Sequence, residues 1–259
     1  MRRPPADQSI FGYLQSSAAG RIYPLTSVRH FGSKPFWEAS GLIVAHPLNT
    51  RIGSDIIDII VQWVFGGGRL LLLGYELGDV HHGGNLCDLA NQFGIQLHTD
   101  IVGPPGFEGS KPYGASVQYD VSEADLHPFT DGLSEITLTN TQTLSVCPGG
   151  TEWLRVGSKN LVYRPRADTV DYVNFRLILR FGQHYVPVPH TEGLPVAVEA
   201  PPGLCGNGKV IAIGTWQIRN QNTETEALFD RLLKWLATVP VNVNLPPAAT
   251  SPQAKSPAL

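Results

Sequence analysis

Residues 40–74 read SGLIVAHPLNTRIGSDIIDIIVQWVFGGGRLLLLG, and this stretch decides the fold. Its opening, SGLIVA over 40–45, is a short apolar run that stops at His46-Pro47; that pattern predicts a buried strand followed by a loop. Next, DIIDIIVQWVF over 55–65 puts Ile56, Ile60, Trp63 and Val64 on one helical stripe, with Asp55, Asp58 and Gln62 breaking up the rest. Ser54 is the expected N-cap and Asp55 suits the positive end of the first turn. Gly66-Gly67-Gly68 should end the helix. RLLLLG over 69–74 is then a second buried strand.

Downstream, YELGDVHHGGN (75–85) reads as a polar, glycine-rich loop. LCDLANQF (86–93) is a helix with Leu86, Leu89, Ala90 and Phe93 on one face, stopped by Gly94, and 95–102 is another short strand. Buried strands alternating with helices predict an α/β fold: a doubly wound, mostly parallel sheet with helices on both faces. Residues 103–120 read as a Gly/Pro/Ser-rich loop, 127–132 as a turn, and ITLTNTQTLSV (136–146) as a strand or hairpin. Further strands at 161–163, 175–181 and 194–199 would be β-hairpin additions in the C-terminal half. KVIAIG (209–214) is a buried strand, GNGK before it a hairpin turn, and TEALFDRLLKWL (225–236) an amphipathic helix with Leu228, Phe229, Leu232, Leu233 and Leu236 on its apolar face. Upstream, 10–19 reads as a helix and 21–25 as a strand; from Pro240 a Pro/Ala/Ser-rich tail is expected to be disordered. The expected organisation is an N-terminal segment (1–20), one α/β domain (21–239) and the tail (240–259).

Composition narrows the function classes. The 259 residues carry 19 Lys+Arg against 22 Asp+Glu, a net charge of −3, so no large basic surface is expected and nucleic acid is not the expected partner. Hydrophobic residues make up 42%, enough for a sizeable core, while 27 Gly and 21 Pro imply many turns. Three cysteines without a CxxC do not make a disulfide framework, which fits a reducing compartment. The N-terminus lacks the apolar run of a signal peptide, and no apolar stretch is long enough to span a bilayer. The expectation is a cytoplasmic protein with no membrane role.

Several motifs together resemble a family. Val64, Gly67-Gly68, Leu70 to Leu73, Gly78-Asp79, His82-Gly83, Asn85-Leu86 and Phe93-Gly94-Ile95 occur in the order found in the class I glutamine-amidotransferase-like (flavodoxin-like) fold. More narrowly, the chain resembles its non-catalytic branch, the gliding-motility and intraflagellar-transport group and DUF4350-type proteins. HPFTDGL (127–133) and GNGKVIAIG followed by LFDRLLKWL are similar to later segments of the same domains. The resemblance covers roughly 40–237 and implies fold more than function. Such domains usually open with a strand where residues 1–20 offer none, so either that strand is missing or a partner supplies it.

Active class I amidotransferases carry a cysteine on a tight strand-to-helix turn. The resemblance puts that turn at Leu73-Gly74-Tyr75-Glu76, which has no Cys, Ser or Thr. Cys87 falls within a helix as a structural thiol, and Cys147 and Cys205 precede Pro148 and Gly206 in turns. No catalytic residue, metal or cofactor is therefore expected. The sharpest polar cluster is the loop with Tyr75, Glu76, Asp79, His81, His82 and Asn85, at the carboxyl end of RLLLL. Open α/β sheets bind ligands at such ends. Trp216 and Gln217 follow the strand KVIAIG and should lie beside it. Against this stand plainer roles: histidines that bond backbone and cap the helix at Asn85, and a tryptophan that covers the sheet end. The glycine runs at 66–68 and 206–208 precede strands, the reverse of a phosphate loop. The sequence thus points to a catalytically inactive domain that binds a ligand, small and polar or carbohydrate-like, or a protein partner or second copy, as a subunit of an assembly. The alternative is a hydrolase built on His81/His82, with Glu76 or Asp79 and perhaps a metal.

Overall fold

The computed structural model describes residues 31, 33–47, 49–106, 116–121, 127–173, 176–189, 193–216 and 223–238. The segments expected at 1–20 and 21–25, the tail from 240 and Gln217 lie outside the described residues.

After a short helix α1 (Lys34–Trp37) come β1 (Gly41–Ala45), α2 (Ser54–Phe65) and β2 (Arg69–Leu73). Near the C-terminus lie β11 (Pro195–Glu199), β12 (Lys209–Ile213) and α5 (Thr223–Ala237). With β8 (Thr151–Arg155) they build a five-stranded sheet in the order β1-β2-β12-β11-β8. β1, β2 and β12 run parallel, as the sequence suggested. β11 runs antiparallel to both β12 and β8, so the sheet is mixed. A hairpin-type return between β11 and β12, through a 3₁₀ turn at Pro202–Leu204, accounts for that reversal.

The all-apolar run of β2 follows from burial on both faces. Leu70 and Leu72, with Val210 and Ala212, pack under α2 through Ile56, Ile57, Ile60, Trp63 and Val64. Leu71 and Leu73, with Ile211 and Ile213, pack under α5 through Leu228, Phe229 and Leu232. α5 is tied to the neighbouring strand by its first turn: Glu224 accepts the N–H groups of Ser134 (2.6 Å) and Glu135 (2.6 Å), and Thr225 Oγ1 accepts that of Thr137 (2.8 Å). The turn at 127–132 is fixed to α5 by Arg231, which donates to the carbonyls of Phe129 (2.9 Å) and Asp131 (2.6 Å).

Several expectations are corrected. The polar stretch 75–85 is not all loop: it holds a short helix α3 (Gly78–His82), entered through Leu77 and Gly78 at positive φ and closed by Gly83 at φ 68°. The next helix, α4, spans Leu86–Asn91, shorter than 86–93. The run 95–102 is two strands, β3 (Ile95–Leu97) and β4 (Ile101–Gly103), and neither joins the parallel sheet. Buried Asp100 separates them, because its carboxylate turns away to accept Thr143 N–H (2.7 Å) and Oγ1–H (2.6 Å). The run 136–146 is not a hairpin either. β6 (Glu135–Thr139) pairs with β5 (Ser116–Asp120), which lies in the expected loop 103–120, while β7 (Leu144–Val146) pairs with β3. β9 (Leu161–Val173) and β10 (Arg176–Pro187) form a long antiparallel hairpin whose base pairs with β4. Finally, Gly53, not Ser54, occupies the N-cap of α2, with no side-chain cap bond.

Leu71 pairs in register with Ile43 on one side and Ile211 on the other and is fully buried. Leu71→Ala is expected to cost about 2–5 kcal/mol in urea unfolding. Val80→Ala, at a side chain 58% exposed, should stay within about 0.5 kcal/mol. Equal effects would place Leu71 outside the core.

Candidate functional site

The registers bring three chain exits to one level. Ala45 pairs with Leu73, and Leu73 with Ile213. The next residues, His46, Gly74 and Gly214, therefore leave the sheet side by side: His46 N–H donates to Leu73 O (2.9 Å) and Gly74 N–H to Ile213 O (2.7 Å). The carboxyl ends of β1, β2 and β12 thus form one edge, as expected of an α/β ligand site.

A row of rings lies along that edge. Tyr75 and Trp216 sit with centroids 5.4 Å apart, Tyr75 and His82 at 4.7 Å, and His82 and His81 at 4.7 Å. His46 stands edge-on to His82 at 5.7 Å. Tyr75, His81, His82 and Trp216 are all partly exposed. His82 is positioned by its Nε2, 2.9 Å from Glu76 O. The indole N–H of Trp216 is buried and finds no acceptor among the described residues.

Behind the row, Asp79 organises the turn. Its Oδ1 lies 2.8 Å from His46 Nε2 and accepts Leu86 N–H at 2.8 Å; its Oδ2 accepts Cys87 N–H at 2.6 Å. One carboxylate therefore caps α4 from a distance and fixes the imidazole of His46. Burial alone would raise the Asp79 pKa. Hydrogen bonds from His46, from the Cys87 thiol and N–H, and from Leu86 N–H outweigh it and hold the carboxyl down at about 2. Asp79 is thus anionic at neutral pH and faces His46 Nε2. His46 Nδ1, in a side chain only 1% exposed, has no partner among the described residues.

The remaining expected residues lie in different settings. Glu76 is fully buried rather than presented by a loop. Asn85 occupies the N-cap of α4 but makes no side-chain cap bond there. Its amide instead accepts Ile52 N–H (2.6 Å) and donates to Ile52 O (2.9 Å) and Asp88 Oδ2 (3.0 Å). Cys87 lies beside the site as a poor nucleophile: burial first, then the bond to and the charge of Asp79, push its thiol up to about 12. Cys205, raised mainly by burial to about 11, is equally unreactive. Among the described residues, no three His, Cys, Asp or Glu side chains are placed to hold a metal ion.

Two features escaped the sequence. His46 read as the end of a strand, although the aligned ends of β1 and β2 put it next to Gly74. The other is the crossing 139–143 (TNTQT), buried from end to end. It bonds to the sheet edge through Gln142 N–H to Gly214 O (3.0 Å), Glu76 N–H to Asn140 O (3.2 Å) and Thr215 Oγ1–H to Thr139 O (2.6 Å). In sequence it falls within 136–146, read as a strand or hairpin.

No protein-family model and no curated protein matches the chain. Solved structures do. The mmIFT52 N-terminal domain is similar over 78% of this chain and 79% of its own, with a TM-score of 0.55 at 17% identity. A ThuA-like protein from Bacteroides uniformis aligns over 82% of this chain and 74% of its own, with a TM-score of 0.48 at 12% identity. A cytoplasmic protein from Salmonella typhimurium aligns over 83% and 76%, with a TM-score of 0.46 at 11% identity. At these identities the likeness to the mmIFT52 domain is one of fold, and it agrees with the amidotransferase-like resemblance at that level. No helix among the described residues is long and apolar enough to cross a membrane.

The Asp79 network gives a pH signature. Its folded pKa, about 2, lies below the ordinary aspartate value of 3.8. The stability it contributes is present above the ordinary value and is lost as pH falls through the folded one. Asp79→Asn should cost about 1–2 kcal/mol at neutral pH, discounted for partial exposure. Unfolding midpoints measured from pH 5 to pH 2 should fall less steeply in the variant than in the wild type. Parallel curves would remove Asp79 from this role.

Proposed function

We propose that the chain is a catalytically inactive, amidotransferase-like domain of the intraflagellar-transport and DUF4350 type, with one doubly wound domain over 21–239. In this reading it works in the cytoplasm as a subunit of an assembly and binds its ligand or partner on the aromatic shelf at the carboxyl ends of β2 and β12. The observation that carries the reading is the row His82–Tyr75–Trp216 at the shared strand edge. Aromatic faces beside polar groups suit the C–H faces and hydroxyls of a sugar, or the side chains of a peptide. Tyr75, His81, His82 and Trp216 form the shelf in this proposal, Gln217 adjoins it by sequence, and Glu76, Asp79 and Asn85 support it.

The lack of a Cys, Ser or Thr at the turn Gly74-Tyr75-Glu76 favours binding over chemistry there. Gly74-Tyr75-Glu76 offers no thiol or hydroxyl poised to attack, since the tyrosine ring belongs to the shelf. Purified protein is expected to release no ammonia from glutamine above buffer background. Release that disappears in Cys87→Ala would overturn this. The alternative reading is a hydrolase built on the His81/His82 loop with Glu76 or Asp79, and the observation in its favour is Asp79, held anionic beside that loop. Zinc, manganese and iron content of the purified protein tests its metal-assisted form.

The shelf is tested by thermal-shift and calorimetric titration against neutral mono- and disaccharides, with sedimentation against a cell extract for protein partners. His82→Ala and Trp216→Ala should each weaken the binding found by about tenfold or more, while unfolding free energies move by about 0.5–1 kcal/mol. Variants that bind normally would put the site elsewhere.

A further inference from the structure

Gln142 is 0% exposed, although it is polar and lies on the crossing that spans the carboxyl ends of the parallel strands. Its side chain enters the turn between β2 and α3. The polar atoms around it set the orientation of the amide: its N–H₂ donates to Tyr75 O (2.9 Å) and His98 O (2.7 Å), and its carbonyl accepts Tyr75 N–H (3.3 Å). Both ends of the amide are thus matched, two acceptors to its donor and one donor to its acceptor. Three glycines leave the space for it: a Cβ on Gly74 or on Gly78 would meet the Gln142 amide, and one on Gly214 its backbone carbonyl. The polar atoms that face the amide, Tyr75 N–H, Tyr75 O and His98 O, all belong to the main chain.

We propose that Gln142 is an internal occupant of the crevice at the strand ends, a carboxamide filling a carboxamide-shaped polar cavity, and that it confines any external ligand to the shelf above. Open α/β sheets hold their ligands at such a crevice; here the chain fills the place itself. The amide also holds both backbone polar groups of Tyr75, so it is the positioning residue for the middle ring of the shelf. The confinement rests on the shelf reading above. The cavity and its chemical class do not, because they follow from the polar atoms facing the amide.

The experiment needs no shelf ligand, so its failure and that of the binding reading are separate results. Gln142→Ala removes a group with the shape of acetamide. The variant should melt lower than the wild type, and about 1 M acetamide should raise its melting temperature, relative to wild type in the same solution, by about 1–4 °C. Acetone, of similar shape but without N–H groups, should not. Acetamide should also shift the Tyr75 amide resonance of the variant and leave that of the wild type in place. Equal responses to acetamide and acetone, or no response to either, would reduce Gln142 to ordinary core filling. If Gln142→Ala does not fold, Gln142→Met keeps the volume and removes the hydrogen bonds. Its Tyr75 N–H should then exchange about tenfold or more faster than in the wild type. Gly74 N–H, bonded to Ile213 O, should keep its rate. Acceleration at both positions, or at neither, would overturn the proposal.

Discussion

Everything at this strand edge depends on three parallel strands that stop in register. Because Ala45, Leu73 and Ile213 end at one level, three chain exits leave the sheet together and the next main-chain polar groups need partners. Two are met within the sheet, by His46 and Gly74 donating to the neighbouring strand. Others are met by the crossing 139–143, which comes from outside the parallel unit. A buried main-chain group without a partner costs about 1–3 kcal/mol. The crossing is thus a requirement of the edge, and its polar composition is what that requirement selects.

Asp79 plays the corresponding part on the other side of the turn. A helix of six residues such as α4 has no interior to speak of, and its first N–H groups need an acceptor. The residue at its N-cap, Asn85, is committed to Ile52 and Asp88. Asp79 supplies the acceptor from seven and eight positions upstream, and the same carboxylate reaches His46 across the strand edge. One charge therefore couples the end of β1, the helix α3 and the start of α4. Gly84 is part of this contact, because a Cβ there would meet Pro47 O, the His46 ring and Asp79 Oδ1. The shelf rings stand on this coupled unit.

What the sequence revealed follows from which forces are local. Residues 40–74 were legible because both periodicities, a continuous apolar run and a 3.6-residue stripe, come from burial against a single sheet. The placing of Trp216 beside Tyr75 was legible for the same reason, since KVIAIG and RLLLLG are both strands buried on two faces. The split at 98–100 was not, because the strand is ended by a tertiary bond between Asp100 and Thr143, 43 positions apart. TNTQT was not legible for a related reason: within 136–146 it reads as part of a strand or hairpin, yet its bonds run to Gly214, Glu76 and Thr215, far off in the chain. His46 was passed over because its partner, Asp79, lies in a segment that reads as loop and folds as α3.

The same geometry explains why the Cys87 thiol is a poor nucleophile. A catalytic thiol needs a lowered pKa and access to solvent. The thiol nearest the strand edge, Cys87, sits by the carboxylate that caps its own helix, so the negative charge that stabilises α4 also stabilises the protonated sulfur. Moving that charge away to free the thiol would leave the N–H groups of Leu86 and Cys87 without their acceptor and His46 without its partner. Local stability and thiol reactivity oppose each other at this position, and the fold has settled the conflict for stability. The partly exposed rings at the edge are Tyr75, His81, His82 and Trp216.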